Sequence, residues 1–162
     1  MDLASLAERL QSVAIERGLT VGTAESCTGG LIGHALTAVP GSSEYYRGGV
    51  ISYSDELKVG LLDVPPKLLE RHGAVSEPVA LSMAQGARIR LDVDYAVSVT
   101  GVAGPGGGSD LKPVGLTYVA VAGSAAESVR RHLWQGDRAA NTKASAAAAL
   151  ELLLETLEGR PR

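Results

Sequence analysis

Apolar positions near the start of the chain first repeat every three or four residues and then become continuous. Leu3, Leu6, Leu10 and Val13 share one side of a helix that Gly18 ends. Leu19 to Ala24 then forms a short apolar run, the pattern of a buried strand. It leads into the small polar turn Glu25-Ser26-Cys27-Thr28-Gly29-Gly30 and a helical stretch from Leu31 to Ala38. Strand, turn and helix in succession open an α/β unit. Pro40 to Ser43 is a loop by composition.

Gly49 to Tyr53 has strand character, and Asp55 to Leu61 suits a short helix capped by Ser54 or Asp55. Pro65 and Pro66 precede a helical piece from Lys67 to Arg71. Ser76-Glu77-Pro78 reads as an N-cap with proline in the first turn, opening a helix to about Arg90. Val93 to Thr100 is the clearest strand pattern, and a glycine-rich loop from Gly101 to Asp110 follows it. Val114 to Ala122 and Ser128 to Trp134 alternate as an antiparallel pair. Asp137 to Glu158 is rich in Ala and Leu and reads as a long helix. With no repeat or linker, the pattern predicts one domain over residues 1–162. Its fold class is α/β, a three-layer α/β/α arrangement with a mixed, mainly parallel sheet and an antiparallel pair late in the chain.

Composition narrows the function. The 162 residues carry 15 Lys and Arg against 18 Asp and Glu, a formal charge of −3, and only 4% aromatics. Neither the basic excess that holds a nucleic-acid backbone nor a platform for stacking bases is present, so no nucleic-acid partner is expected. One cysteine, Cys27, excludes an internal disulfide or a multi-cysteine zinc site. His34, His72 and His132 have no ligand spacing, and no metal or other cofactor is expected. With no membrane-length apolar run and no basic leader, the expected location is the cytoplasm.

Candidate chemistry clusters in four places. Ser26 follows the first strand, where side chains reach the carboxyl edge of a sheet and ligands of open α/β folds bind. The N–H groups of Cys27 to Gly30 suit a phosphate or an oxyanion. Alternatively, Ser26 or Thr28 caps the next helix. Cys27 is a rival nucleophile or a buried thiol; strand alternation would turn it away from any pocket that Ser26 faces. Lys58 can act as base toward a serine only when neutral, which requires burial or a neighbouring cation. Its alternative is a solvated helix lysine. Tyr53 would direct its hydroxyl into the same cleft or pack in the core with a wet tip. Thr100 ends the clearest strand and Gly101, Gly104 and Gly106 follow it, and glycines there let backbone N–H groups approach an anion, unless the loop is a plain connection. Arg138 suits a phosphate or carboxylate, or is a surface charge.

Seven strings occur together and in order: TAESCTGG from Thr23, VPGSS from Val39, GGVISYS from Gly48 with Lys58, GAVSE from Gly73, VTGVAGPGGG from Val99, KPVG from Lys112 and GDR from Gly136. Together they resemble the CinA C-terminal domain family, from about Leu3 to Leu157. The resemblance implies a stand-alone nicotinamide-nucleotide amidase. Such an enzyme hydrolyses nicotinamide mononucleotide to nicotinate mononucleotide and ammonia, in pyridine-nucleotide salvage. It implies a serine–lysine site with Ser26 as nucleophile, Lys58 as base and Tyr53 in support. Thr28, Gly29, Gly30, Ser43, Thr100, Gly101, Gly104, Gly106 and Arg138 become substrate-binding positions, and the chain a homodimer or higher homo-oligomer. Two other readings are a metal-dependent nucleotide pyrophosphatase, for which no carboxylate cluster is evident, and a non-catalytic nucleotide- or partner-binding domain.

Overall fold

Each helix starts and stops where local chemistry requires it. The computed structural model describes residues 1–159. Helix α1 (Leu3–Arg17) begins with Asp2, whose side chain accepts from Ser5 N at 2.8 Å, and stops at Gly18 with φ 65°. Strand β1 (Val21–Glu25) leads to α2 (Leu31–Thr37), a 3₁₀ turn (Ser42–Glu44) and β2 (Tyr46–Ile51). Ser54 caps α3 (Asp55–Leu62) by accepting from Leu57 N at 3.2 Å. Helix α4 (Pro66–His72) follows, and Ser76 caps α5 (Glu77–Leu91) by accepting from Val79 N at 3.4 Å. Strands β3 (Tyr95–Gly101), β4 (Leu116–Gly123) and β5 (Glu127–Leu133) precede α6 (Arg138–Glu158), which Asp137 caps. Among the described residues no helix is long and apolar enough to cross a membrane.

The five strands form one open sheet in the order β2-β1-β3-β4-β5. The β1–β2 and β1–β3 pairs are parallel, while β3–β4 and β4–β5 are antiparallel. The sheet is mixed, as the sequence pattern predicts, but its pairings divide equally. By direction it is mainly parallel, since β5 runs the same way as β1, β2 and β3 and β4 alone is reversed. The extra antiparallel pair arises because β4 returns directly beside β3 after the glycine loop, without a helical crossover.

The two faces of the sheet carry side chains of different size. Val21, Val97, Val99, Val119 and Val121 pack with the leucines of α1 and α6. Truncating one of these buried leucines, such as Leu10 or Leu153, would cost about 2–5 kcal/mol. The opposite face presents Ala24, Ala96, Ala120 and Ala122 to α5. These small residues let α5 lie close enough for Ser98 Oγ to donate to Ala80 O at 2.5 Å. Closeness continues outward to α3: a Cβ on Gly86 of α5 would lie 1.8 Å from Leu62 O, so only glycine fits there.

This architecture positions the site. After β1 the chain passes to α2 on one face, whereas after β2 it passes to α3, α4 and α5 on the other. A crevice opens at the carboxyl ends of β1 and β3, where connections diverge.

Candidate active site

Ser26 stands one residue beyond β1 and its N–H donates to Val99 O at 3.1 Å, which ties the turn to β3. Lys58 is on the second turn of α3 and is 1% exposed. Its Nζ lies 3.0 Å from Ser26 Oγ and donates to Ser52 O at 2.8 Å and Tyr53 O at 3.3 Å. A surface lysine is therefore excluded. As an ammonium the group can donate to all three oxygens. As an amine it can donate to the two carbonyls and accept the Ser26 hydroxyl proton on its lone pair. Either protonation state fits the same cage.

Burial pushes the Lys58 pKa below the ordinary lysine value, because a charged amine loses its hydration there. The Asp55 carboxylate, 3.8 Å away on the same helix and well exposed, pulls in the opposite direction. Burial also pushes the neighbouring Cys27 thiol up to about 12, with the Glu25 carboxylate adding to the effect, so a thiolate nucleophile is disfavoured. Both Ser26 and Cys27 contribute to the cleft wall. Strand alternation does not separate them, because β1 ends at Glu25.

The cleft has a volume of about 250 Å³, and Ser26, Lys58, Tyr53, Thr100, Gly101 and Arg138 all border it. Tyr53 is 62% exposed and is not a core residue. Its hydroxyl accepts from Arg138 Nη2 at 3.3 Å, while Arg138 Nη1 donates to Gly104 O at 2.8 Å. Thr100 donates its proton to Ala74 O at 2.9 Å, which fixes Ala74 and Val75 as another part of the wall. That bond leaves the Thr100 hydroxyl able to accept but not to donate to an oxyanion. Buried Asn141 fastens α6 to the glycine loop, donating to Ala103 O and accepting from Gly136 N, both at 3.0 Å. A second cavity of about 490 Å³ adjoins the first and shares Ala103 and Arg138 with it; Gly104 borders this one.

Other sequence candidates lie elsewhere. Neither Ser26 nor Thr28 caps α2, whose N-cap is Gly30 with no side-chain hydrogen bond. Thr28 Oγ1 donates instead to Glu25 Oε1 at 2.7 Å, and Ile32 N and Gly33 N donate to the same carboxylate at 2.9 and 3.0 Å. Glu25 thus occupies the helix terminus expected for a phosphate. Thr28, Gly29, Gly30 and exposed Ser43 border neither cavity, and Gly106 also stands outside both. Gly29 N donates to Ser26 O, while the N–H groups of Cys27 and Thr28 meet no other residue's acceptor among the described residues. Sequence reasoning missed Glu25, Ser52, Asp55 and the Ala74–Val75 wall. The one visible signal was Glu25 itself, a charge on the end of an otherwise apolar strand. Among the described residues no group of three or more His, Cys, Asp or Glu could hold a metal ion.

Comparison with known proteins agrees with the fold. The chain is 59% identical over 119 residues to a CinA-like protein of Parasynechococcus marenigrum, covering 74% of this chain and 28% of that one. It is 47% identical over 159 residues to a CinA-like protein of Chlorobaculum tepidum, covering 95% and 38% respectively. This chain therefore matches only 28% and 38% of the length of those relatives. The crystal structure of competence damage-inducible protein A of Klebsiella pneumoniae superposes with a TM-score of 0.95 at 33% identity, over 99% of this chain and 100% of that one. The competence/damage inducible protein CihA of Agrobacterium tumefaciens superposes with a TM-score of 0.91 at 42% identity, over 98% and 96%. Residues 3–157 match the family described as the CinA C-terminal domain, and the chain belongs to that family.

Proposed function

We propose that the chain hydrolyses the carboxamide of nicotinamide mononucleotide, releasing nicotinate mononucleotide and ammonia, with Ser26 as nucleophile and Lys58 as base. The observation that carries this reading is the 3.0 Å contact between Lys58 Nζ and Ser26 Oγ inside a buried cage. A lysine held there with a lowered proton affinity is better suited to general-base work than a solvated one.

Neutral Lys58 takes the Ser26 proton as Oγ attacks the carboxamide carbon. The carbonyl π-bond opens to an oxyanion, and the N–H group of Cys27, which borders the cleft and donates to no other residue among the described residues, is a donor available to it. The Lys58 ammonium returns a proton to the nitrogen, the C–N bond breaks and ammonia leaves. Lys58, neutral again, takes a proton from water, whose hydroxide attacks the ester. Collapse of that second intermediate frees the carboxylic acid and returns the proton to Ser26 Oγ. The small cleft suits the planar amide end of the substrate. The adjoining cavity and the Arg138 guanidinium suit the ribose phosphate, whose placement fixes the amide for attack.

A coupled ammonia assay over the mononucleotide, its riboside and free nicotinamide, with and without chelator, tests the reading. The mononucleotide is expected to be the best substrate and the chelator to have no effect. Ser26→Ala is expected to lose about 10³-fold or more in kcat with its fold intact. Near-parental turnover in that variant would refute the serine role. Nucleotide binding without ammonia release in the parent chain would favour a ligand holder.

A further inference from the structure

One buried ionisable side chain takes no part in the chemistry above. Glu25 is 2% exposed and immediately precedes Ser26. Its carboxylate accepts from Thr28 Oγ1, Ile32 N and Gly33 N, all uncharged donors. A buried carboxylate without such donors would be strongly disfavoured, so these three bonds are what keep it in place. Its main-chain carbonyl accepts from Ser52 N at 2.8 Å and from Ser52 Oγ at 3.4 Å. One residue therefore fastens two things. Its side chain holds the turn that carries Ser26, and its backbone holds the segment whose carbonyls cradle Lys58.

No cap side chain of α2 holds the turn. Helix α2 has only seven residues, and its N-cap, Gly30, has φ 109° and no side chain to offer. The acceptor that a cap residue normally supplies comes instead from upstream, across the turn itself. Within that turn, Ser26 N and Gly29 N are spent on Val99 O and Ser26 O, Leu31 N donates to Thr28 O at 3.1 Å, and the Cys27 and Thr28 N–H groups meet no other residue's acceptor among the described residues.

We propose that Glu25 is a positioning residue for Ser26. Its carboxylate holds the turn so that Ser26 Oγ meets Lys58 while the Cys27 N–H group remains available to an oxyanion. It acts through the turn, and it contacts neither substrate nor Lys58. The inference rests on the serine–lysine reading, and its failure is separable from that of the reading itself.

The test is ammonia release from nicotinamide mononucleotide by the full chain carrying Glu25→Gln, beside Ser26→Ala and Thr28→Val. Glutamine keeps the shape but turns an NH₂ toward backbone donors. Misplacing the nucleophile is expected to lower kcat by about 10²-fold, with KM within about twofold of the parent. The midpoint of the acid limb of the rate profile should stay where it is, because the lysine keeps its carbonyls. If Glu25→Gln does not fold by circular dichroism, Thr28→Val decides. It removes one of the three bonds, and a fall in kcat of about three- to tenfold is expected. A folded Glu25→Gln with parental kcat overturns the inference, as does parental kcat in Thr28→Val. A lower kcat accompanied by a shifted acid limb also overturns it, since that marks general loosening of the site. Turnover surviving in Ser26→Ala would instead remove the serine reading, whatever Glu25 does.

Discussion

Where the ends of β1 and β2 meet α3, the polar groups Ser26, Ser52, Lys58, Glu25 and Thr28 are all buried and partnered. Across the cleft, Tyr53 and Arg138 are exposed, and among the described residues Arg138 hydrogen-bonds a carbonyl and a phenol. The difference is one of solvent. In the dry wall a hydrogen bond has no water to replace it, so geometry and proton affinity are fixed before any ligand arrives. In the wet wall the same kinds of bond exchange readily with water or with an anion. Chemistry is therefore expected to depend on the first wall and substrate grip on the second, and kcat and KM should separate along the same line.

The largest expected effect breaks the dry wall. Lys58→Met should lower kcat by about 10³-fold or more, and Lys58→Arg should not rescue it, because arginine does not give up its proton. The same variant reports on stability. Burial lowers the lysine's proton affinity in the folded chain, so below the unfolded value the unfolded chain binds more protons. The parent should accordingly gain stability relative to Lys58→Met as pH rises toward the ordinary lysine value of about 10.4, and lose that gain as pH falls. Thermal melts across that range will check the sign. A smaller effect tests the wet wall. Arg138→Ala should raise KM for the mononucleotide by about 10- to 100-fold, the worth of a charged hydrogen bond, with much less change in KM for the riboside. An equal fall in kcat for both substrates would erase the distinction between the walls. The smallest effect lies at their border. Asp55→Asn removes the exposed carboxylate that favours the ammonium. The acid limb should move to lower pH, with the rate on that limb rising about 1.5- to fivefold.

How much of this was legible in the sequence depended on how local the cause was. Caps act over three residues, so Gly18, Ser54, Ser76 and Asp137 marked the ends of their helices within a residue or two. Strand β3 and the β4–β5 hairpin stood out because their periodicity is continuous. The edge strand β2 came out displaced, expected from Gly49 to Tyr53 and found over Tyr46–Ile51, because its two glycines obscure the pattern. Ser26, Lys58, Tyr53, Thr100 and Arg138 were singled out from their neighbours in sequence and border one cleft. The carbonyl cage was not legible, since main-chain oxygens have no sequence signature. Nor was the use of Thr28, which depends on where the Glu25 carboxylate turns after the strand ends.

Gly86 gives this arrangement a remote dependency. The carbonyl of Leu62, pressed against that glycine, closes the helix that carries the amine four residues earlier. One methyl group added to the far side of α5 has no room except by displacing that peptide. The whole lever would then swing, and the amine would be withdrawn from its hydroxyl without any alteration of a cleft residue. A clearance of a single hydrogen atom, on a helix that does not line the cleft, thus bears on the contact between Lys58 and Ser26.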